Sequence, residues 1–163
     1  MPAVAVSDRA RAADHWLLNA AGLAEATQRA ALVRDVARVL DDPAFADLFG
    51  PDALAEAPIA ATIDGGLTVS GTVDRLLILP DRVRVVDFKT GRRAPATVDA
   101  IPAYHLRQMA AYAAALAAIF PGRVVEASLL YTAAPVLFTI PPALLARHKP
   151  GFEGSEQSLS PLA

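Results

Sequence analysis

Asp74, Asp87 and Lys89 have the residue types that bind a divalent cation and act on a phosphate beside it. They fall in the stretch Gly71 to Thr90, which reads as two β-strands around a turn at Pro80-Asp81. A hairpin closed symmetrically on that turn pairs Ile78 with Val83 and Asp74 with Asp87. Residues so paired share a face, their Cα atoms roughly 4.5 to 5.5 Å apart. Lys89, two residues past Asp87, points to that face as well. At about 5 Å and an effective dielectric of about 20, the two carboxylates repel by on the order of 3 kcal/mol. A cation between them, or a proton on one, removes that cost.

Other residue types extend the constellation. Glu56 lies on a preceding extended stretch, and Gln108 and Tyr112 stand one turn apart on a later helix, with Tyr104 in the same row. Hard oxygen ligands without sulfur suit Mg2+ or Mn2+, which binds through a few carboxylates and keeps several waters. Lys89 would orient or deprotonate an attacking water, or offset charge developing on the phosphate. Arg92, Arg93 and Arg107 would grip DNA backbone phosphates without reading sequence. Of the 15 Lys and Arg residues, only Lys89 and Lys149 are lysine. An ammonium, as the compact point charge, suits the position beside the carboxylates.

The elements that must place these groups are legible in outline. Helices are predicted over residues 8–20 and 24–40, the second with Leu32, Val33, Val36, Val39 and Leu40 as its buried stripe. Asp41-Asp42-Pro43 stops it, and a helical turn follows at 45–49. Strands are expected at about 55–62, 67–79 and 82–90, with Asp64-Gly65-Gly66 as the first turn. In the second strand Leu67, Val69, Gly71 and Val73 form an apolar face, and Asp74 belongs to the polar one. After the basic loop Gly91 to Ala96, a helix runs from about Pro102 to Phe120. Its predicted stripe is Leu106, Met109, Ala110, Ala113, Leu116, Ala117 and Phe120, with Gln108 and Tyr112 flanking it. Strands at about 124–131 and 136–140 and a short helix near 142–147 complete the chain, with His105 and His148 facing solvent. The reading is an α/β domain over residues 1–149, with N-terminal helices at 8–49, the sheet at 55–140 and a flexible tail at 150–163.

Composition narrows the class. Apolar residues make up 54% and charged residues 20%, which is globular and not disordered. No apolar run is long enough for a membrane span, no secretion signal is present, and a cytoplasmic protein is the expectation. The absence of cysteine excludes disulfides, a thiol nucleophile and cysteine-held clusters. At a net charge of −2, a nucleic-acid partner needs a local basic patch.

Gly71-Thr72-Val73-Asp74, then Val85-Val86-Asp87-Phe88-Lys89-Thr90, then Gln108-x-x-x-Tyr112 resembles the RecB-type branch of the PD-(D/E)XK nucleases. Asp41-Asp42-Pro43-Ala44-Phe45, Phe49-Gly50-Pro51, Glu56-Ala57-Pro58-Ile59 and Leu106-Arg107-Gln108-Met109 are similar to the C-terminal nuclease domain of AddA helicase–nucleases. The resemblance implies a restriction-endonuclease-like fold, a mixed central β-sheet flanked by helices. It makes Asp74, Asp87 and the Phe88 backbone carbonyl metal ligands, Lys89 the catalytic lysine, and Glu56, Gln108 and Tyr112 supporting site residues. It implies Mg2+- or Mn2+-dependent exonuclease action on DNA ends in double-strand-break repair, beside a helicase portion of the same parent polypeptide and a second helicase–nuclease subunit. The branch normally carries a metal-ligating His upstream. His15 is the sole upstream histidine, and a structural role is expected for it. No G-x-x-x-x-G-K-[ST] occurs, so no ATP-driven motor is expected within the chain. Both departures fit a fragment of a longer polypeptide. The rival reading is a catalytically weak or inactive fragment that binds DNA or a partner. A free-standing exonuclease like the CRISPR-associated ones is a third, against which the missing cysteines count.

Overall fold

A computed structural model describes residues 4–91, 93–150 and 157–158, and its contacts divide the chain into two units, 1–51 and 52–163. In the first, α1 (Val6–Asn19) pairs with α2 (Ala26–Leu40), and a 3-10 turn spans Pro43–Phe49. Glu25 caps α2 by accepting from the N–H groups of Thr27 and Gln28 at 2.8 and 2.7 Å, and Asp42 caps the 3-10 turn at Ala44. Arg29 ties the helices together, donating to Asp14 at 2.8 Å and to the carbonyls of Leu23 and Ala24. The expected α2 stripe is only partly buried. Val39 is buried and Val33 and Leu40 half-buried, but Leu32 and Val36 are exposed. Two helices joined by a short turn cannot cover the full width of an amphipathic stripe within that unit.

The second unit is a mixed sheet. Strands β1 (Ala53–Thr62), β2 (Thr68–Ile78) and β3 (Arg82–Lys89) form an antiparallel meander. Helix α3 (Ala103–Ile119) then carries the chain over to β4 (Val124–Tyr131), which runs parallel to β3. β5 (Val136–Thr139) adds antiparallel to β4, α4 (Pro142–Arg147) follows, and the sheet order is β1-β2-β3-β4-β5. A short β6 (Gln157–Ser158) pairs parallel with Val69 and Ser70 of β2. The flexible tail expected over 150–163 otherwise falls on 151–156 and 159–163, outside the described residues. This is the mixed, helix-flanked sheet that the sequence predicts. Among the described residues, no helix is long and apolar enough to cross a membrane.

Each turn has a local cause. Gly65 and Gly66 adopt φ of 85° and 81° between β1 and β2, a conformation that a side chain disfavours. Leu79 donates to the Arg82 carbonyl at 2.9 Å and closes the Pro80-Asp81 turn. The hairpin therefore takes the predicted register: Ile78 opposes Val83 and Arg75 opposes Val86.

Helix α3 lies across the sheet and buries Leu106, Met109, Ala110, Ala111, Tyr112, Ala115 and Leu116. The buried face is shifted from the predicted stripe, taking in Ala111 and Ala115. Ala117 is exposed, and Tyr112, expected beside the stripe, is 1% exposed and inside it. Tyr112 reaches the core because Gly71 leaves room for its ring: a Cβ there would stand 2.9 Å from Tyr112 Cε1. Strict alternation in β2 also fails. Val69, Val73 and Leu76 all join the core, so the pleat changes phase between residues 73 and 76. On the neighbouring strand, Ala55 pairs with Arg75 and Ala57 with Val73, which leaves Glu56 against Asp74. Glu56 there has φ of 49°, alone among the described non-glycine residues in the left-handed region. The strands kink where the polar site begins.

Candidate functional site

The site grows out of the end of the β2–β3 ladder. The strand pairing stops at Arg75 and Val86, one step before Asp74 and Asp87. Beyond it, the Phe88 N–H donates to Asp74 Oδ2 at 2.5 Å, so a side chain replaces a backbone partner. Asp87 is 6% exposed. Lys89 Nζ lies 2.6 Å from Asp87 Oδ2 and donates to Gln108 Oε1 at 2.8 Å. Gln108 Nε2 in turn donates to the Tyr112 hydroxyl at 3.4 Å, and that hydroxyl donates to the Thr72 carbonyl at 3.2 Å. One relay thus joins Asp87, Lys89, Gln108, Tyr112 and Thr72, across two strands and α3.

Burial sets the electrostatics. It pushes the Asp87 carboxyl above the ordinary carboxylate range, Asp74 adds to that, and Lys89 opposes it. The Tyr112 phenol is also pushed up, first by burial and then by Asp87 and Asp74, while its bond to Gln108 opposes the rise. Tyr112 therefore stays protonated and able to donate through the neutral range.

The remaining sequence candidates lie at varied depths. Glu56 is exposed on the kinked strand opposite Asp74. The Phe88 ring has the Arg75 guanidinium 5.5 Å from its centroid. Arg93 is exposed in the loop after β3, and Arg107 is exposed on α3 next to Gln108. Arg92 lies outside the described residues. His15 is exposed on α1 in the other unit. Among the described residues, no group of three or more His, Asp and Glu is placed to share a metal ion.

Sequence reasoning missed two residues here. His105, expected to face solvent, is half-buried, and its Nδ1 lies 3.3 Å from the Tyr131 hydroxyl. Burial, reinforced by the charge of Lys89, lowers its pKa to about 4. Tyr131 is buried and sits beside Lys89 in the parallel β3–β4 ladder. Its position depends on that parallel register, which a crossover helix sets and no turn signal marks. His148, also expected in solvent, is half-buried at the end of α4.

The sequence pattern of the PD-(D/E)XK nuclease superfamily matches residues 3–150. No curated protein matches. Among solved structures, the one titled "Crystal structure of SSO0001" aligns at a TM-score of 0.41 and 18% identity, covering 86% of this chain and 67% of that one.

Proposed function

Because the chain belongs to the PD-(D/E)XK nuclease superfamily, we propose that it is a Mg2+- or Mn2+-dependent deoxyribonuclease acting at DNA ends. The observation that carries this reading is the anchoring of Lys89 between Asp87 and Gln108, beside a second carboxylate. An ammonium has three N–H donors. Two go to Asp87 and Gln108, which leaves the third for an attacking water or a phosphate oxygen. Gln108 and Tyr112 hold that lysine at a fixed angle, so its charge is in place when the phosphate gains negative charge.

The donor set suits a hard divalent cation. Burial and Asp74 both disfavour the ionised form of Asp87, and a cation offsets both effects. Asp74, Asp87 and the Phe88 carbonyl would hold it, with waters filling the remaining positions. When bound, it would supply Lewis-acid activation of water and phosphate. Arg93, Arg107 and Arg92 would grip the DNA backbone without reading sequence. Glu56 would stand at the edge of the site, opposite Asp74.

The order of motif pieces supports a finer reading as well: the exonuclease part of a cytoplasmic AddA-like enzyme for double-strand-break repair, joined to a helicase motor and working with a second subunit. A motor encoded upstream in the same reading frame is the expected finding. A second reading is a metal-poor fragment that binds DNA or a partner without cutting it, favoured by the described residues, which bring no three His, Asp or Glu groups close enough to share an ion. Linear DNA with Mn2+ separates the two. The wild type is expected to degrade it, and Asp87→Ala and Lys89→Ala to lose about 10²-fold or more of the rate. Equal background cutting by all three proteins would leave the binding module standing.

A further inference from the structure

The first turn of α3 carries an aromatic ring that the nuclease reading leaves unused. Tyr104 is 53% exposed, yet it is not a loose surface side chain. The His105 ring packs edge-on against it, with centroids 4.1 Å apart and planes at 61°. His105 is anchored through the Tyr131 hydroxyl at 3.3 Å. The Tyr131 ring in turn meets Phe138 edge-on, with centroids 6.0 Å apart at 81°. Four rings therefore form a braced row from the surface into the core. The row passes beside the site, because Tyr131 neighbours Lys89 in the β3–β4 ladder.

The helix adds two neighbours to the exposed ring. Residues three and four apart on a helix face one another, so Arg107 and Gln108 are the side chains next to Tyr104. Arg107 is an exposed cation, and Gln108 holds Lys89 at 2.8 Å. A flat ring, an exposed cation and the glutamine that holds Lys89 thus stand within about one turn of α3. We propose that Tyr104 is a stacking platform for an unpaired nucleobase, with Arg107 on the adjoining phosphate, so that this site takes single-stranded or frayed ends in preference to blunt duplex. The inference rests on the nuclease reading and narrows its substrate. Every base has a π-face, so the contact needs no sequence preference. In a blunt duplex the bases are paired and stacked on their inner neighbours, so seating one alone on the platform first costs that pairing and stacking.

The test uses the full chain in EDTA at low salt, with a fluorescein-labelled single strand and a blunt duplex, each carrying 2-aminopurine at the end. Anisotropy reads binding, and 2-aminopurine quenching reads stacking. The wild type is expected to bind the single strand with quenching. Tyr104→Ala should weaken that binding about 5- to 150-fold and abolish the quenching, while leaving duplex affinity unchanged. Tyr104→Trp should restore both signals, which separates stacking from a folding defect. With Mn2+, Tyr104→Ala should raise KM for the single strand and leave kcat unchanged. Equal quenching and equal affinity in wild type and Tyr104→Ala would overturn the platform alone. Failure of the wild type to bind or cut either DNA would overturn the nuclease reading along with it.

Discussion

Glu56 and His105 show how single residues record a constraint that sequence pattern does not. Nothing in Glu56-Ala57-Pro58 announces a left-handed backbone, yet φ at Glu56 is 49° in mid-strand. Such a conformation strains any residue with a Cβ, and it persists only where its surroundings fix it. Glu56→Gly should therefore be more stable than Glu56→Ala by about 1 kcal/mol, measured by urea unfolding. Both lack the carboxylate, so both should lose cleavage to the same degree. Equal stability would mean that the backbone is not strained. His105 makes a second case. Its pKa is about 4 in the fold against 6.5 ordinarily, chiefly through burial. The unfolded chain therefore binds the proton first as pH falls. The stability this neutral ring contributes is complete above 6.5 and is lost on the way down to about 4. Thermal midpoints followed from neutral to acid pH should fall less steeply for His105→Gln than for the wild type.

At the scale of elements, legibility followed the local signals. The Pro80-Asp81 turn and the β-branched runs beside it are enough to set the β2–β3 register as far as Arg75 and Val86, one step short of Asp74 and Asp87. The parallel β3–β4 register was not legible, because a helix and not a turn determines it, and Tyr131 went unnoticed for that reason. Helical periodicity located α3 but misjudged its face, since the space for Tyr112 is made by a glycine on another strand. That pairing yields a test. A Cβ at Gly71 would meet Tyr112 Cε1 at 2.9 Å and the hydroxyl at 3.1 Å. Gly71→Ala should cost about 1–3 kcal/mol in stability through overpacking. Tyr112→Phe removes only the hydroxyl bonds to Gln108 and Thr72, and should cost about 1 kcal/mol. If the relay holds Lys89 in place, Tyr112→Phe lowers kcat and leaves KM for DNA unchanged. A rise in KM alone would show that Tyr112 acts in binding instead.

For the whole molecule, the central question is why a fold of net charge −2 keeps Asp87 buried beside Asp74. Lys89 pairs with Asp87, while the half-buried Asp74 accepts from the neutral Phe88 N–H, so two neighbouring carboxylates share a single ammonium. A fold under that burden is most stable when a cation shares the site, and ligand binding raises stability by mass action. At ten times the dissociation constant, Mg2+ or Mn2+ should stabilise the wild type by about 1.4 kcal/mol. In a chain of this size that corresponds to a rise of about 3–6 °C in the thermal midpoint. EDTA should reverse the rise, and Asp87→Ala should show none. Lys89→Ala leaves both carboxylates uncompensated, so it should be less stable than the wild type without metal and gain more from the cation. This larger gain separates a metal site from a structural salt bridge. A salt bridge alone predicts that Lys89→Ala is weaker than the wild type by the same margin at every cation concentration.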